Sequence, residues 1–167
     1  MSKKLLIISA TSRNNLELAI QIDKITSSLN IEKELINLED YDIPLYTPIK
    51  QEDAIPKFVN DLTQKFIDAS GFIFCAPEYN GSIPPILTNL IAWISVSTDQ
   101  WREVFNGKKA LLGTHSGGDG NNIIQSMKIQ LGHLGTIVLP RTIIVNSYTK
   151  FNPESTQDKI EQLIKLL

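Results

Sequence analysis

The sequence has few of the residues that build metal centres or disulfide frameworks. Its 167 residues include one cysteine, Cys75, and two histidines, His115 and His133. A single cysteine excludes a disulfide within the chain, and the three residues lack the spacing of a metal-ligand cluster. Cys75 lies in an apolar run, where a buried and unreactive thiol is the usual state. We therefore expect neither a metal site nor thiol chemistry.

A strong charge of one sign and long apolar runs are also lacking. The net charge is −2 and the isoelectric point is about 5.7, so there is no basic excess typical of a nucleic-acid surface. No apolar run approaches the roughly 20 residues of a membrane span. The short run after Met1-Ser2-Lys3-Lys4 stops at Ser9 without a signal-peptide cleavage pattern. We expect no nucleic-acid partner, no membrane insertion, a cytoplasmic location and one domain over residues 1–167.

The sequence does contain a regular alternation of strand-like and helix-like segments. Strand-like segments lie at 5–8, 34–38, 71–76, 109–114 and within 136–145, where Pro140 interrupts the last one. The first is continuous and apolar, as is typical of a strand covered on both faces. Apolar residues at helical spacing follow each run. Asn14 or Asn15 is expected to cap the first helix and Asn152 the last, and Gly71 to end the second. The alternation predicts an α/β fold with a five-stranded parallel sheet and helices on both faces.

The most informative segment is Pro-Glu-Tyr-Asn-Gly-Ser-Ile-Pro-Pro at 77–85, between an apolar run and a helical pattern. Pro84 or Pro85 suits the first turn of a helix, where a missing N–H costs nothing. Gly81 permits close approach of the main chain to a ligand. A loop at the carboxyl end of a parallel strand is where ligands bind in open α/β sheets. The pattern therefore favours a binding loop here.

Residues 77–93 read Pro-Glu-Tyr-Asn-Gly-Ser-Ile-Pro-Pro-Ile-Leu-x-Asn-x-Ile-x-Trp, which closely resembles the signature of the NAD(P)H-dependent FMN reductase family. The resemblance implies a flavodoxin-like, doubly wound sheet of strand order 2-1-3-4-5 with its site between strands one and three. It also implies FMN as cofactor, NADPH or NADH as co-substrate, and a quinone, azo compound or free flavin as acceptor. Because the flavin carries this chemistry, no catalytic side chain is expected.

The resemblance implies three flavin-binding loops. In the first loop, Thr11 and Arg13 match the first serine and the arginine of the family pattern Gly-Ser-x-Arg-x-x-Ser-x-Asn, but Ala10 replaces the glycine and the x-x-Ser segment is deleted. This shortening predicts weakened binding of the FMN phosphate. The expected contacts are Ser9, Thr11, Ser12, Arg13 and Asn14 in the first loop, Pro77, Glu78, Tyr79, Asn80, Gly81 and Ser82 in the second, and His115, Ser116, Gly117, Gly118 and Asp119 in the third.

Two other functions remain open from the sequence. The chain could be a flavodoxin-like electron carrier, which binds FMN without using a pyridine nucleotide, or a flavin-free binding protein on the same fold. The predicted helix at 84–95 carries apolar residues on more than one face, and a helix that is apolar nearly all round is buried. We therefore expect a homodimer or a dimer of dimers.

Overall fold

The computed structural model describes residues 3–167; Met1 and Ser2, which the single-domain prediction includes, lie outside the described residues. The strands are β1 Lys4–Ser9, β2 Glu32–Asn37, β3 Gly71–Cys75, β4 Lys109–His115, β5 Ile137–Val138 and β6 Ile143–Val145. The helices are α1 Asn14–Thr26, α2 Pro48–Asp53, α3 Lys57–Asp68, α4 Pro85–Val96, α5 Asn121–His133 and α6 Pro153–Leu166, with a short 3₁₀ helix at Leu38–Asp40. Within this part of the chain, no helix is long and apolar enough to cross a membrane.

The strands form one parallel sheet in the order β2-β1-β3-β4-β5, which confirms the predicted topology. The predicted fifth strand is two short strands, β5 and β6, which both pair with β4 on either side of Pro140. In the register, Ser9 lies opposite Cys75, and Cys75 lies opposite Gly113. The loops that follow β1, β3 and β4 therefore leave the sheet side by side at its carboxyl edge.

The core lies in two layers, one on each face of the sheet. On one face, Phe72 and Phe74 pack with Phe66 of α3 and with Phe105, at ring centroid distances of 5.3–6.4 Å. On the other face, Ile73 and Cys75 are buried in the cluster that α1 and α6 supply. Because successive strand residues point to opposite faces, a continuous apolar run fills both layers at once, as the sequence predicted.

The element ends depart from the predictions at two places and agree with them at a third. Neither Asn14 nor Asn15 caps α1: the residue before the helix is Arg13, and no side chain caps it. Helix α3 ends at Asp68, and Gly71 instead begins β3, where a Cβ would lie 2.6 Å from Leu167 Cδ2. Asn152 does cap α6, since its Oδ1 accepts the Ser155 N–H at 2.9 Å.

Helix α2 was not predicted. Its residues are exposed, so they lack the apolar face that marks a helix in a sequence. Thr47 begins it by accepting the Lys50 N–H at 3.2 Å, with Pro48 at the first helical position.

Candidate functional site

The loops after β1, β3 and β4 enclose a small cavity at the carboxyl edge of the sheet. Its volume is about 160 Å³. The lining residues are Thr11, Ser12, Arg13, Asn14, Asn15, Pro77, Tyr79 and His115. Residues from all three predicted loops therefore meet at one place, as the strand register requires. The other predicted residues do not line this cavity; they are Ser9 at the end of β1, Glu78, Asn80, Gly81 and Ser82 after β3, and Ser116, Gly117, Gly118 and Asp119 after β4.

The first loop is held by the sheet at its start and strained at its end. Ser9 is fully buried, and its hydroxyl donates to the Thr11 carbonyl oxygen at 2.8 Å. The Ala10 N–H donates to the Cys75 carbonyl oxygen at 2.8 Å. Arg13 then adopts φ 69° and ψ −132°, a conformation that favours glycine and costs an ordinary residue of order 1–3 kcal/mol. Strain of this kind is typical of functional loops.

Helix α1 begins directly after Arg13 without a side-chain cap. The first four N–H groups of a helix have no partner within it, and the helix dipole adds partial positive charge there. Ser12 and Arg13 lie beside this end and line the cavity. The loop therefore offers main-chain donors, a hydroxyl and a guanidinium, which is the donor set that suits a phosphate.

An acidic side chain already contacts this loop. The Ser12 N–H donates to Oε2 of Glu39 at 2.9 Å. Hydrogen bonds from the Ser12 side chain and main chain, and the Arg13 charge, hold the pKa of Glu39 below its usual range. Asn37 donates to the Ser12 hydroxyl at 3.3 Å and to Asp40 Oδ1 at 2.8 Å. Glu39 could not be found from the sequence, because the contact joins residues 27 positions apart.

Asn15 also contributes to the site, although the sequence analysis considered it only as a cap of α1. It is 3% exposed, and its side chain makes two hydrogen bonds with the main chain of His115. Oδ1 accepts the His115 N–H at 2.9 Å, and Nδ2 donates to the His115 carbonyl oxygen at 3.0 Å. Asn15 thus joins the first loop to the end of β4 and fixes their separation.

The loop after β3 contains a hairpin turn that satisfies its own hydrogen bonds. Tyr79 and Ser82 exchange two main-chain hydrogen bonds of 3.1 and 3.0 Å. Asn80 at φ 50° and Gly81 at φ 71° form the turn between them, and Asn-Gly is the preferred pair for such a two-residue turn. Tyr79 is about half exposed, at 49%. The turn therefore has a defined shape without a ligand.

The Glu78 side chain stabilises a neighbouring helix. Its carboxylate accepts the Ile123 N–H at 3.1 Å and the Asn122 side-chain N–H at 3.3 Å. Both residues lie in the first turn of α5, where an acidic group satisfies otherwise unpaired N–H groups. Only the main chain of Glu78 remains for the ring contact that the resemblance implies. The carboxylate fixes the loop after β3 against α5.

The loop after β4 divides into buried and exposed parts. Ser116 is 5% exposed, and its hydroxyl accepts the Gly118 N–H at 3.3 Å. A Cβ on Gly117 or Gly118 would meet no atom within 4 Å, so both glycines face open space. Asp119 is exposed and accepts from the Asn121 N–H at 3.0 Å. Asp119 thus shapes the turn into α5, and the hydrogen bonds of Asn121 lower its pKa.

Cys75 and His133 do not line the cavity. Burial raises the pKa of the Cys75 thiol to about 12, so the thiolate is scarce near neutral pH. His133 stacks against Trp101 at a centroid distance of 5.5 Å. Among the described residues, no group of three or more His, Cys, Asp or Glu side chains could hold a metal ion.

Comparison with known proteins was decisive for the family. The family model described as NADPH-dependent FMN reductase matches residues 3–150. The chain belongs to the NADPH-dependent FMN reductase family. A quinone reductase of Escherichia coli is 33% identical over 121 residues, which is 72% of this chain and 60% of that protein. A 2-hydroxy-1,4-benzoquinone reductase of Burkholderia is 36% identical over 85 residues, which is 50% of this chain and 45% of that protein.

An uncharacterised Mycoplasma pneumoniae protein is 29% identical over 106 residues, 62% of this chain and 61% of that protein. The matched regions thus span about 60% or less of the length of these relatives. FerB of Paracoccus denitrificans, a flavoenzyme NAD(P)H:(acceptor) oxidoreductase, superposes with a TM-score of 0.79, at 20% identity, 98% coverage of this chain and 96% of that one. An azoreductase of Bacillus anthracis superposes at 0.67, with 16% identity and coverages of 98% and 93%. These two structures show the flavodoxin-like fold.

The residues of this FMN reductase family member fit the FMN that the family implies. An uncapped helix, Arg13 and two hydroxyl side chains suit the phosphate. At Gly117 and Gly118 an added Cβ would meet no atom within 4 Å, so the main chain of this loop is open to an approaching group. The carboxylate of Glu39 on the Ser12 N–H shows that this loop accommodates an anionic oxygen. It also means that one donor is already in use.

Proposed function

We propose that this protein is an NAD(P)H-dependent, FMN-binding oxidoreductase that transfers hydride from NAD(P)H through FMN to a quinone, an azo compound or free flavin. Family membership supports the flavin chemistry. The names of its relatives, a quinone reductase and a 2-hydroxy-1,4-benzoquinone reductase, support a quinone as acceptor. NADPH is the co-substrate that the family description names, and NADH is the alternative.

One observation carries the proposal: three loops from neighbouring strands meet around a cavity whose lining includes the anion donors Ser12 and Arg13 and the half-exposed Tyr79. In the proposed complex the first loop holds the phosphate through Thr11, Ser12, Arg13 and Asn14, while Ser9 fixes the loop from beneath. The second and third loops border the ring. They contribute Pro77, Glu78, Tyr79, Asn80, Gly81, Ser82, His115, Ser116, Gly117, Gly118 and Asp119.

Bound FMN supplies the electron transfer, and the chain's own residues bind and orient it. Pro77 and Tyr79 shape the slot, and the main chain at 78–81 faces the polar edge of the ring. Asn15 fixes the first loop against His115 through its two hydrogen bonds, so the phosphate end and the ring end keep a constant separation. No side chain acts as a dedicated acid or base, which agrees with a flavin reaction.

The test separates this function from the two alternatives. The purified protein is mixed with FMN, dialysed, and its visible spectrum is recorded before and after anaerobic addition of NADPH. A bound flavin that NADPH bleaches, followed by reoxidation by a quinone faster than with free FMN, is the expected result. A bound flavin that NADPH does not bleach would favour an electron carrier. Absence of bound flavin would favour a flavin-free binding protein.

We further propose a homodimer, or a dimer of dimers, formed through the surface at α4. In α4, Leu87, Leu90, Ile91, Trp93 and Ile94 are buried within the chain's own core. Beside the outer face of the helix, Leu45 shares shallow depressions with Pro85 and Asn89 and is 70% exposed. Shallow apolar depressions next to Pro85 and Ile86 complete this surface, and a second copy would cover it. Sedimentation at micromolar concentration should show a dimer; a monomer would contradict the proposal.

The cytoplasm is the proposed location. The described cysteine, Cys75, is buried and free, and free cysteines are usual in reducing compartments. Fractionation of the producing cell should recover the protein with cytoplasmic markers, and recovery from the culture medium would contradict this.

A further inference from the structure

The first loop uses one of its anion donors internally. The Ser12 N–H is directed at the Glu39 carboxylate, at 2.9 Å, although Ser12 and Arg13 both line the cavity. A carboxylate oxygen on a main-chain N–H beside an arginine has the chemistry of a phosphate oxygen at the same place. A phosphate that used this donor would have to displace Glu39.

We propose that Glu39 is a specificity-determining residue that reduces the preference of the first loop for flavins carrying a phosphate. The inference rests on the proposed function, because it concerns how the same site selects its flavin. Riboflavin and FMN share their ring and differ at the phosphate, so a carboxylate at the phosphate end acts on FMN alone. Wild-type protein should therefore bind the two flavins with similar dissociation constants.

The backbone of Glu39 is fixed near the first loop, but its carboxylate is free to move. It lies in the short 3₁₀ helix Leu38–Asp40 that follows β2, and Leu38 is fully buried, so the backbone of this segment is fixed. The carboxylate itself is exposed, and an exposed charge contact of this kind is worth little. A phosphate can therefore displace the hydrogen bond, but the negative charge remains nearby.

The neighbouring amide gives a second, independent observation. Asn37 is 8% exposed, its amide nitrogen donates to Ser12 and Asp40, and its Oδ1 is buried without a hydrogen-bond partner. A buried unpartnered acceptor carries an energetic cost that a new donor would relieve. Its position beside Ser12 shows that the polar network at the phosphate end is incomplete.

The experiment measures a ratio. FMN and riboflavin are titrated against each protein by quenching of flavin fluorescence, and the ratio of riboflavin to FMN dissociation constants is compared. Glu39→Gln removes the charge and keeps the shape, and Glu39→Ala frees the Ser12 N–H as well. Each should raise the ratio about fivefold or more, because one like charge is removed from beside the phosphate. Riboflavin affinity should stay within about threefold of wild type in both variants.

Asp40→Asn is the matched control. It removes the same unit of charge from the next residue, and Asp40 hydrogen-bonds Asn37 rather than the loop N–H. The ratio in this variant should stay within about threefold of the wild-type ratio. An equal rise in Asp40→Asn would overturn the proposal, since general charge would then explain the effect. A ratio unchanged in both Glu39 variants would also overturn it.

A measurement on the wild-type chain avoids any folding defect of a variant. In an isotope-labelled sample, the Glu39 carboxyl carbon and the Ser12 amide should shift on adding FMN and not on adding riboflavin. Equal shifts with both flavins would overturn the proposal. Quenching by neither flavin, in any variant, would overturn the proposed function together with this inference, whereas quenching with an unchanged ratio overturns the inference alone.

Discussion

The two ends of the candidate site, one proposed to hold the flavin ring and the other its phosphate, are built in different ways. At the ring end, the hairpin from Tyr79 to Ser82 closes its own hydrogen bonds, and Glu78 fixes the loop to α5. At the phosphate end, Arg13 adopts a backbone conformation that favours glycine, α1 lacks a side-chain cap, and Glu39 uses a main-chain donor. One end is complete without a ligand, and the other has unsatisfied donors and strain.

The difference indicates how affinity divides between the two halves of a flavin. A preformed hairpin binds a ring with little loss of conformational entropy. A strained loop with an internal anion must rearrange, and this cost reduces what a phosphate contributes. Changes at the ring end should therefore affect FMN and riboflavin alike, whereas changes at the phosphate end should affect FMN alone.

The largest effect is expected where the two ends are joined. Asn15→Ala leaves the N–H and carbonyl of His115 without their partners, and each such group costs roughly 1–3 kcal/mol when buried. We expect the free energy of unfolding in urea to fall by about 2–4 kcal/mol. Asn14→Ala, one position earlier on an exposed residue without a capping bond, should change it by less than about 0.5 kcal/mol. Similar losses in both variants would show that the Asn15 link is unimportant.

The next effect is on FMN binding. Arg13→Ala removes the cation of the first loop, and a hydrogen bond to a charged group is worth roughly 1.5–3 kcal/mol, so FMN should bind about 10- to 100-fold more weakly. Riboflavin should be nearly unaffected in the same fluorescence titration. Arg13→Gly removes the same guanidinium while suiting the positive φ, and it should lose FMN equally. Weakening of both flavins to the same extent would show that Arg13 supports the fold instead.

A smaller effect is expected at the hairpin. Gly81 has φ 71°, and a residue with a Cβ in this region costs roughly 1–2 kcal/mol, so Gly81→Ala should lower the unfolding free energy by that amount. Both flavins should weaken together. Gly117→Ala is the control for stability, because its Cβ meets no atom within 4 Å. Selective loss of FMN in Gly81→Ala would contradict the division into two ends.

The smallest effect is a dependence of stability on pH. The pKa of Glu39 is lowered in the folded chain by its Ser12 hydrogen bonds and by Arg13. Such a group stabilises the fold above its usual pKa of 4.5 and loses that contribution as pH falls through the lower folded-state pKa. Wild type should exceed Glu39→Gln at pH 6 by less than about 1 kcal/mol, and the difference should shrink toward pH 3 in urea unfolding. A difference that is constant over this range would contradict the Ser12–Glu39 contact.

The sequence predicted the sheet because its evidence is local. An apolar run such as 71–76 indicates a buried strand from its own residues alone. In the same way, Pro140 indicates the interruption between β5 and β6. The Asn-Gly pair at 80–81 and the Asn152-Pro153 pair likewise specify their own turns. The family signature then gave the strand order, which the structure confirms.

The missed features depend on contacts between distant segments. The partner of the Asn15 side chain lies 100 positions away in the chain. The local sequence does not show this contact, and it suggested a helix cap instead. Glu39 follows β2 and meets Ser12 only because β2 lies beside β1 in the sheet. Arg13 gave no indication of a positive φ, since such positions usually hold glycine or asparagine. The shortened loop was visible in the sequence, but the carboxylate that contacts it was not.

The broken fifth strand has a consequence for how copies of the chain can meet. An uninterrupted edge strand presents a row of free backbone groups and promotes edge-to-edge aggregation. Here that edge consists of strands of two and three residues, Ile137–Val138 and Ile143–Val145, with Pro140 between them. The opposite edge begins with the charged residues Glu32, Lys33 and Glu34 of β2. Neither edge is a good template for sheet extension, which leaves the helical surfaces for the dimer that we propose.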